Sequence, residues 1–541
     1  MSRADGVDHT LAAVVVLAVV GLGLRLVGLG DRPFHWDEAR VGVWALRFAR
    51  TGAFEYRPVA GGPLPYHLAR ASLALFGATD AAARLPVAVV GGLLPLSALG
   101  LRPRLRDDET VLVALVLAVS PPLVYYGRVL RGDLLLAAAV FVAWVLAVRA
   151  FGTERTRPAY GAALAAAAAV AASGFVVATV ACVAVAALVV LTGRQVATDS
   201  VEGLSDRLRA RSTLLARLGL VFAAALVFLF APRGGDVGLW SPTSLPAVFG
   251  FVFGEVPGRF YAVRVASRYA DGATHPLMPF VTSLLRTLGD AALPTLSLAV
   301  VGVLHERYAG EGRAVVTFFT VWAAAGLLVF PTVAEVDGPW TAVHVLVPLS
   351  VPAAVGAARG LSYARRAVDR EDAAAVAAAL LLLVAGVVQV GGVLADEVYG
   401  GPTPDDALAG YAQPADDLEP FAANVSAARA EGAGTGVGGD EDPTVLYYGD
   451  RFHTPGWAEA DGPPVPTRWG ARLPLPWYVA REDATATSLP STAALPENPP
   501  PVIVAGPATA GELRTELSAY ERSRYRLGLW NREVVVFVRS S

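Results

Sequence analysis

The sequence predicts a polytopic α-helical membrane protein of about 11 spans, with a C-terminal extracytoplasmic α/β domain. Three observations carry that expectation. The 541 residues are 54% hydrophobic and 17% charged, against a usual globular share of about 25% charged. So few charges cannot cover so much apolar surface in water, and the mean hydropathy of +0.50 agrees. The apolar residues are gathered into runs near the roughly 20 residues needed to cross a hydrocarbon core about 30 Å thick. After about residue 396 those runs stop: 20 acidic and 11 arginine residues from 397 to 541 make that stretch strongly acidic. The formal net charge of −3 excludes a basic nucleic-acid binder. The single cysteine, Cys182, lies in an apolar run, which excludes an internal disulfide framework and a cysteine-based metal site.

The predicted spans are approximately 11–30, 83–101, 111–126, 133–150, 159–173, 175–192, 214–231, 279–304, 314–331, 340–358 and 373–395. The first is about as long as a span and carries Arg25 near its far end, which favours a retained helix over a signal peptide. Arg25 there reads as a snorkelling side chain, with a phosphate role as the alternative. The Ala-rich run at 159–192 is broken only by Ser173 and Gly174 and reads as a tight hairpin of two short helices. All 44 basic residues are arginine, and they orient the chain. The short loops 102–106, 149–157, 193–217 and 359–370 are arginine-rich and fall on one side in an 11-span order, which makes that side cytoplasmic. The loops at 31–82, 127–132, 232–278 and 332–339, and everything after 395, then face outside. The expected domains are a membrane module over 1–396 and an extracytoplasmic domain over 397–541.

In the tail, TVLYYGD (444–450), PVIVAG (501–506) and EVVVFV (533–538) read as buried strands, and ELRTELSAYERSRY between the last two has helical spacing. Strand–helix–strand with Pro-rich connectors predicts a small α/β domain. GAGTGVGGD (432–440) contains a GxGxxG match, but it precedes a strand where a dinucleotide fingerprint would follow one. It reads as a linker.

The richest chemistry follows the first span, in DRPFHWDEARVGVWALRFARTGAFEYRPVAGGPLPYHLAR (31–70). Asp37 and Glu38 are adjacent carboxylates just past the membrane, flanked by His35, Trp36 and Arg40. VGVWALRFA has apolar residues at helical spacing and fits an interfacial helix. Arg57, Gly61-Gly62-Pro63, Pro65, Tyr66 and His67 follow. The bland alternative is a solvated loop with a capping acid. A second feature is YYGRVLRGDLLL (125–136), where Arg128, Arg131 and Asp133 sit at or just inside the headgroup level. Ionisable residues at that depth are functional candidates. A guanidinium fork suits the oxygens of a lipid phosphate, with snorkelling as the alternative.

These two segments resemble the membrane glycosyltransferases of the GT-C fold that use polyprenyl-phosphate-linked sugars, such as protein O-mannosyltransferases and the aminoarabinose transferases of lipid A. Asp37-Glu38 matches their acidic pair in the first outer loop, and GGPLPYHL (61–68) loosely matches a Pro-rich motif. Arg128 and Asp133 match an arginine five residues before an aspartate. RPFHWDEARVG, RLPVAVVGGLLPL, PWTAVHVLVPL and YRLGLWNREVVVFV further resemble an archaeal and bacterial subfamily of flippase-activity-associated proteins of glycosylation clusters. The chain departs from the aminoarabinose enzymes in lacking a lysine in GGPLPYH, so donor identity does not transfer. The resemblance implies a glycosyltransferase of the cell membrane with its catalytic loop at 31–82. Its partners would be a polyprenyl- or dolichyl-phosphate sugar and an extracytoplasmic glycan or protein acceptor. An inverting transfer needs a carboxylate as base and positive charge on the leaving phosphate. Asp37 would be the base, Glu38 an orienting or arginine-paired group, and Arg128 with Arg131 the phosphate clamp. The competing class is a non-enzymatic flippase or assembly factor for lipid-linked oligosaccharides.

Weaker candidates for substrate binding are His275 in a long outer loop, and Trp340 and His344 near Glu335 and Asp337 at the next outer turn. Histidines beside carboxylates leave a divalent cation open, although no tight ligand spacing supports one. A hydrogen-bonded structural histidine and a belt tryptophan are the alternatives.

Overall fold

A computed structural model describes residues 8–58, 61–153, 155–193, 211–234, 237–266, 277–403, 405–435, 442–454, 469–528 and 532–540. The chain forms two compact units, neither contiguous in sequence. One comprises 1–27, 87–229 and 266–400; the other comprises 28–86, 230–265 and 401–541.

The described residues of the first unit form helices joined by turns and short loops. Eight described helices of the chain are long and apolar enough to cross a membrane: His9–Leu26, Asp80–Leu101, Gly132–Phe151, Ser212–Phe230, Leu277–Tyr308, Ala314–Val333, Thr341–Asp369 and Ala373–Tyr399. Three predicted spans are helical but fall short by that measure. The run at 111–126 is divided into Asp107–Val119 and Pro121–Tyr126, and the other two, Thr156–Ala172 and Val176–Thr192, have 17 residues each. Those two do not form the tight hairpin expected: Thr156–Ala172 packs mainly along Gly132–Thr153, and Val176–Thr192 along Ala314–Val333. Alanine-rich faces let helices approach closely, and in lipid that packing, not sequence adjacency, selects the partner. Thr341–Asp369 is the central helix, with 94% of its apolar window buried, whereas Ala373–Val393 buries no residue and packs on one side against Leu277–Tyr308 and Thr341–Asp369.

The break at Ser120 has a traceable cause. Pro121 and Pro122 carry no N–H, so the carbonyls of Leu117 and Ala118 lose the donors that a continuous helix would supply. Arg25 replaces them. Its guanidinium donates to the carbonyls of Leu117 (3.2 Å), Ala118 (3.0 Å), Leu123 (3.1 Å) and Gly21 (2.8 Å), and the side chain is 0% exposed. Arg25 therefore points into the bundle and does not snorkel. Gly127 makes room for it, since a Cβ there would lie 2.6 Å from Arg25 Nε.

In the second unit, a five-stranded sheet has the order β2-β1-β3-β5-β4. Its strands are β1 (Val445–Tyr448), β2 (Ala486–Leu489), β3 (Val502–Ala505), β4 (Tyr520–Arg526) and β5 (Glu533–Arg539). β1 pairs in parallel with β2 and β3, and β5 antiparallel with β3 and β4. Every residue of β1 and β3 is buried, as expected for strands covered on both faces. Leu446, Ile503, Leu513, Val535 and Phe537 form part of the core. The helix expected over 512–525 is corrected: a helix covers only Pro507–Leu513, and YERSRYR is an edge strand. Its charged side chains are mostly exposed, which suits an edge strand, while its backbone completes the ladder with β5. Preceding β1, the helix Glu419–Thr435 runs into the predicted linker, whose residues 436–440 lie outside the described set.

Residues 28–86 supply three helices to this unit or its margin: Trp36–Thr51, Leu64–Phe76 and the start of Asp80–Leu93. The helix expected from VGVWALRFA runs over Trp36–Thr51, with most of its residues buried in the protein, and its start is fixed by reciprocal caps. Asp37 N–H donates to His35 Nδ1 (3.1 Å), and His35 N–H donates to Glu38 Oε2 (2.9 Å).

Candidate active site

The acidic pair opens a helix, but its two carboxylates have different surroundings. Glu38 is 0% exposed and forms a bidentate pair with Arg84, itself 3% exposed: Nε to Oε1 is 2.8 Å and Nη2 to Oε2 is 2.7 Å. The other Arg84 N–H groups go to the carbonyls of Leu29 (3.0 Å), Arg32 (2.8 Å) and Pro33 (3.1 Å), so all five donors are used. Asp37, one residue earlier, keeps 23% of its side chain exposed. Of the two, it alone is open to solvent.

The chain just before Asp37 is held by the C-terminal part of the same unit. His35 uses Nδ1 as an acceptor, so Nε2 carries the proton and donates to the Tyr411 carbonyl (2.8 Å). Trp36 Nε1 donates to the Gly470 carbonyl (2.9 Å), and Gln413 Nε2 to the Pro33 carbonyl (2.7 Å). Phe34 stacks on Trp477 (4.5 Å between ring centres), and its N–H donates to the Tyr478 hydroxyl (2.9 Å). Gly42 permits the stack, since a Cβ there would lie 2.8 Å from Phe34 and 2.9 Å from Trp477. Buried Asp80 accepts from Trp477 Nε1 (2.7 Å) and from the Tyr478 hydroxyl (3.2 Å), and pairs with Arg481 (3.3 Å). Burial, and after it Asp80, pushes the Tyr478 phenol well above its ordinary pKa. The hydroxyl therefore keeps its proton and can donate.

Elsewhere in this unit, His67 lies among Phe48 and Phe54, and Arg233 Nη1 is 3.2 Å from its Nε2. Burial, with Arg70 nearby, lowers Arg233 to about 10. Arg57 is half-buried in the irregular stretch before the Gly-rich turn.

In the first unit, four of the sequence-derived candidates come together. Asp133 accepts from Arg131 Nε (2.9 Å) and lies 3.4 Å from His344 Nε2. The Arg131 guanidinium sits 3.7 Å above the Trp340 ring, and His344 stacks on Phe330 (4.5 Å). Trp340 and His344 are buried, whereas Glu335 and Asp337 are exposed. Arg128 binds the end of the first helix. Its Nη1 donates to the carbonyls of Leu24 (3.3 Å), Arg25 (3.2 Å) and Val27, capping the end of the first helix, and its guanidinium faces the Tyr399 ring (4.8 Å). His275 lies outside the described residues. Among the described residues no group of three or more His, Cys, Asp or Glu side chains could hold a metal ion.

Sequence reasoning missed Arg84, Asp80, Trp477 and Tyr478. Arg84 sits at the start of an apolar run, where an arginine reads as an interface anchor. Trp477 and Tyr478 read as ordinary aromatic residues of a Pro-rich stretch more than 400 positions from Phe34, and no local pattern links them.

Comparison with known proteins bears on the whole chain. The crystal structure of ArnT from Cupriavidus metallidurans bound to undecaprenyl phosphate superposes with a TM-score of 0.55, at 17% identity and covering 97% of each chain. This chain has the GT-C fold. The apo form of the Archaeoglobus fulgidus oligosaccharyltransferase matches with a TM-score of 0.52 at 14% identity, covering 98% of this chain and 76% of that one. The same oligosaccharyltransferase tethered to an acceptor peptide containing the NVT sequon gives 0.51 at 14% identity, with the same coverages. Residues 58–202 match the family model described as dolichyl-phosphate-mannose-protein mannosyltransferase. Residues 420–539 match that of the Agl23 flippase-associated protein C-terminal domain. Among curated proteins none is a significant match. With eight described helices long and apolar enough to span, the chain is a multi-pass membrane protein.

Proposed function

We propose that this protein transfers a sugar from a polyprenyl (dolichyl-type) phosphate to an extracytoplasmic acceptor, a lipid-linked glycan or a protein. One observation carries the assignment of the base: Glu38 is buried and saturated by Arg84, while its neighbour Asp37 is partly exposed at the first turn of its helix. Asp37 takes the proton of the acceptor hydroxyl as that oxygen bonds to the anomeric carbon. The bond from that carbon to the phosphate oxygen breaks, and polyprenyl phosphate leaves with its charge matched by Arg128 and Arg131. The remaining sequence candidates, His35, Arg57, His67, Asp133, His275, Trp340 and His344, are proposed to take part in substrate binding. Support for the lipid donor comes from the undecaprenyl phosphate bound to the similarly folded ArnT and from the mannosyltransferase model matched at 58–202. The C-terminal domain is proposed to face outside, on the arginine distribution.

The match of 420–539 to a flippase-associated domain favours a second reading, a non-enzymatic factor for moving or assembling lipid-linked sugars. The two readings separate in liposomes containing the purified protein and dolichyl-phosphate mannose or glucose, with cell-envelope glycolipids and proteins as acceptors. Mass spectrometry should find an acceptor heavier by one hexose, with dolichyl phosphate released in equal amount. Intact donor that only redistributes between leaflets would establish the second reading instead.

A further inference from the structure

The four residues that lead into Asp37 are each tied to the C-terminal portion of the chain: Pro33 to Gln413, Phe34 to Trp477 and Tyr478, His35 to Tyr411, and Trp36 to Gly470. One atom among these ties has two duties. The Tyr478 hydroxyl accepts from Phe34 N–H (2.9 Å) and donates to Asp80 Oδ2 (3.2 Å). Asp80 begins the helix that carries Arg84, and Arg84 in turn grips Glu38, the residue after Asp37. The hydroxyl thus closes a ring of contacts around the candidate base: Tyr478 to Phe34 on the side before it, and Tyr478 to Asp80 and its helix to Arg84 to Glu38 on the side after it. Trp477 fills the same role with a ring, stacking on Phe34 while its Nε1–H bonds Asp80 Oδ1.

The segment carrying these two aromatics is itself held rigidly. Arg532 donates to the carbonyls of Gly470 (3.3 Å), Ala471 (2.7 Å) and Leu473 (3.0 Å). Arg472 donates to the Phe452 carbonyl (2.8 Å) and lies over the Tyr447 ring (4.7 Å), next to the sheet. Tyr447 belongs to β1, so the fixed reference for the whole arrangement is the sheet. Arg481, at the end of the helix Leu475–Arg481, pairs with Asp80 (3.3 Å) and Glu419 (2.8 Å), joining it to the helix Glu419–Thr435.

We infer that Tyr478 and Trp477 are positioning residues for Asp37, so that the C-terminal domain is a working part of the catalytic apparatus. This rests on the transferase reading above, with Asp37 as the base. A carboxylate must meet the acceptor hydroxyl within hydrogen-bond reach, and a displacement of about 1 Å far from the reacting atoms can cost on the order of 100-fold in rate. Removing the hydroxyl leaves the aromatic ring and its packing but cuts the ring of contacts at its shared atom.

The test compares the full-length wild type with Tyr478→Phe, and with Tyr448→Phe as a control. Tyr448 likewise has a hydrogen-bonded hydroxyl, but it donates to the carbonyls of Ser491 and Ala493, beside the sheet. Two readouts are taken. The first is hydrogen exchange of residues 33–38, which needs no substrate. Tyr478→Phe should speed exchange there while β1, β3 and β5 keep their protection, and Tyr448→Phe should leave 33–38 unchanged. The second is steady-state transfer from dolichyl-phosphate hexose. Tyr478→Phe should lower kcat about 10- to 100-fold with KM for the donor nearly constant, and Tyr448→Phe should leave kcat unchanged.

Unchanged exchange at 33–38 in Tyr478→Phe overturns the inference whatever the activity. Faster exchange with full kcat per folded molecule also overturns it, because the contact would then be structural only. Absence of transfer by the wild type overturns the transferase reading, and the exchange result then stands alone as a measure of the contact.

Discussion

Glu38 and Arg84 decide how the acidic pair is read. A carboxylate and a guanidinium that are 0% and 3% exposed lose most of their hydration, and only a geometrically good pair offsets that cost. Here the fork is bidentate and every Arg84 N–H has an acceptor. Removing one partner leaves the other charge buried and alone. Glu38→Gln or Arg84→Met should therefore cost about 3–5 kcal/mol, measured by thermal unfolding of the purified protein in detergent. The double variant Glu38→Met/Arg84→Met should be less destabilised than the sum of the two single losses. Additive losses would mean that the pair is not coupled. The sequence allowed Glu38 an arginine partner but not which one, since a helix and two connecting segments separate residues 38 and 84.

The helix elements were legible wherever lipid or a cap dictates the pattern. The long apolar runs became helices, and the helix at 36–51 was visible in the spacing of VGVWALRFA. Legibility failed where a partner outside the segment decides the outcome. YERSRYR has few apolar residues to mark it as a strand, yet β5 offers it a ladder edge, and backbone pairing overrides side-chain spacing. β2 has no buried residue and little apolar character, so it too was missed. The break at Ser120 was hidden in a run that reads as one span, although Pro121 and Pro122 stood in plain view. What the sequence could not say is that Arg25 supplies the missing donors. Arg25→Met should leave the Leu117 and Ala118 carbonyls unpaired, at about 1–3 kcal/mol each. In that background Pro121→Ala/Pro122→Ala should recover part of the lost thermal stability, by returning the N–H groups that those carbonyls need. No recovery would show that Arg25 acts there by some means other than replacing the two donors.

At the scale of the whole molecule, the sheet, the loop before Asp37 and residues 230–265 form one compact unit, although the sequence separates them by the greater part of the membrane helices. A tail that packs with the loop after the first span must share its side of the membrane, and from the arginine-rich short loops we propose that this is the outer side. A cysteine at the exposed Ser426, with Cys182 replaced by alanine, should label with a membrane-impermeant maleimide in intact cells. Labelling only after lysis would reverse the orientation. The central claim is that Asp37 is the base of a sugar transfer, and Asp37→Asn tests it most directly. The amide keeps the shape of the side chain but cannot take the proton, so transfer from dolichyl-phosphate hexose should fall about 10²–10⁴-fold while the folded yield and donor binding hold. A folded Asp37→Asn protein that transfers sugar at the wild-type rate would contradict the account.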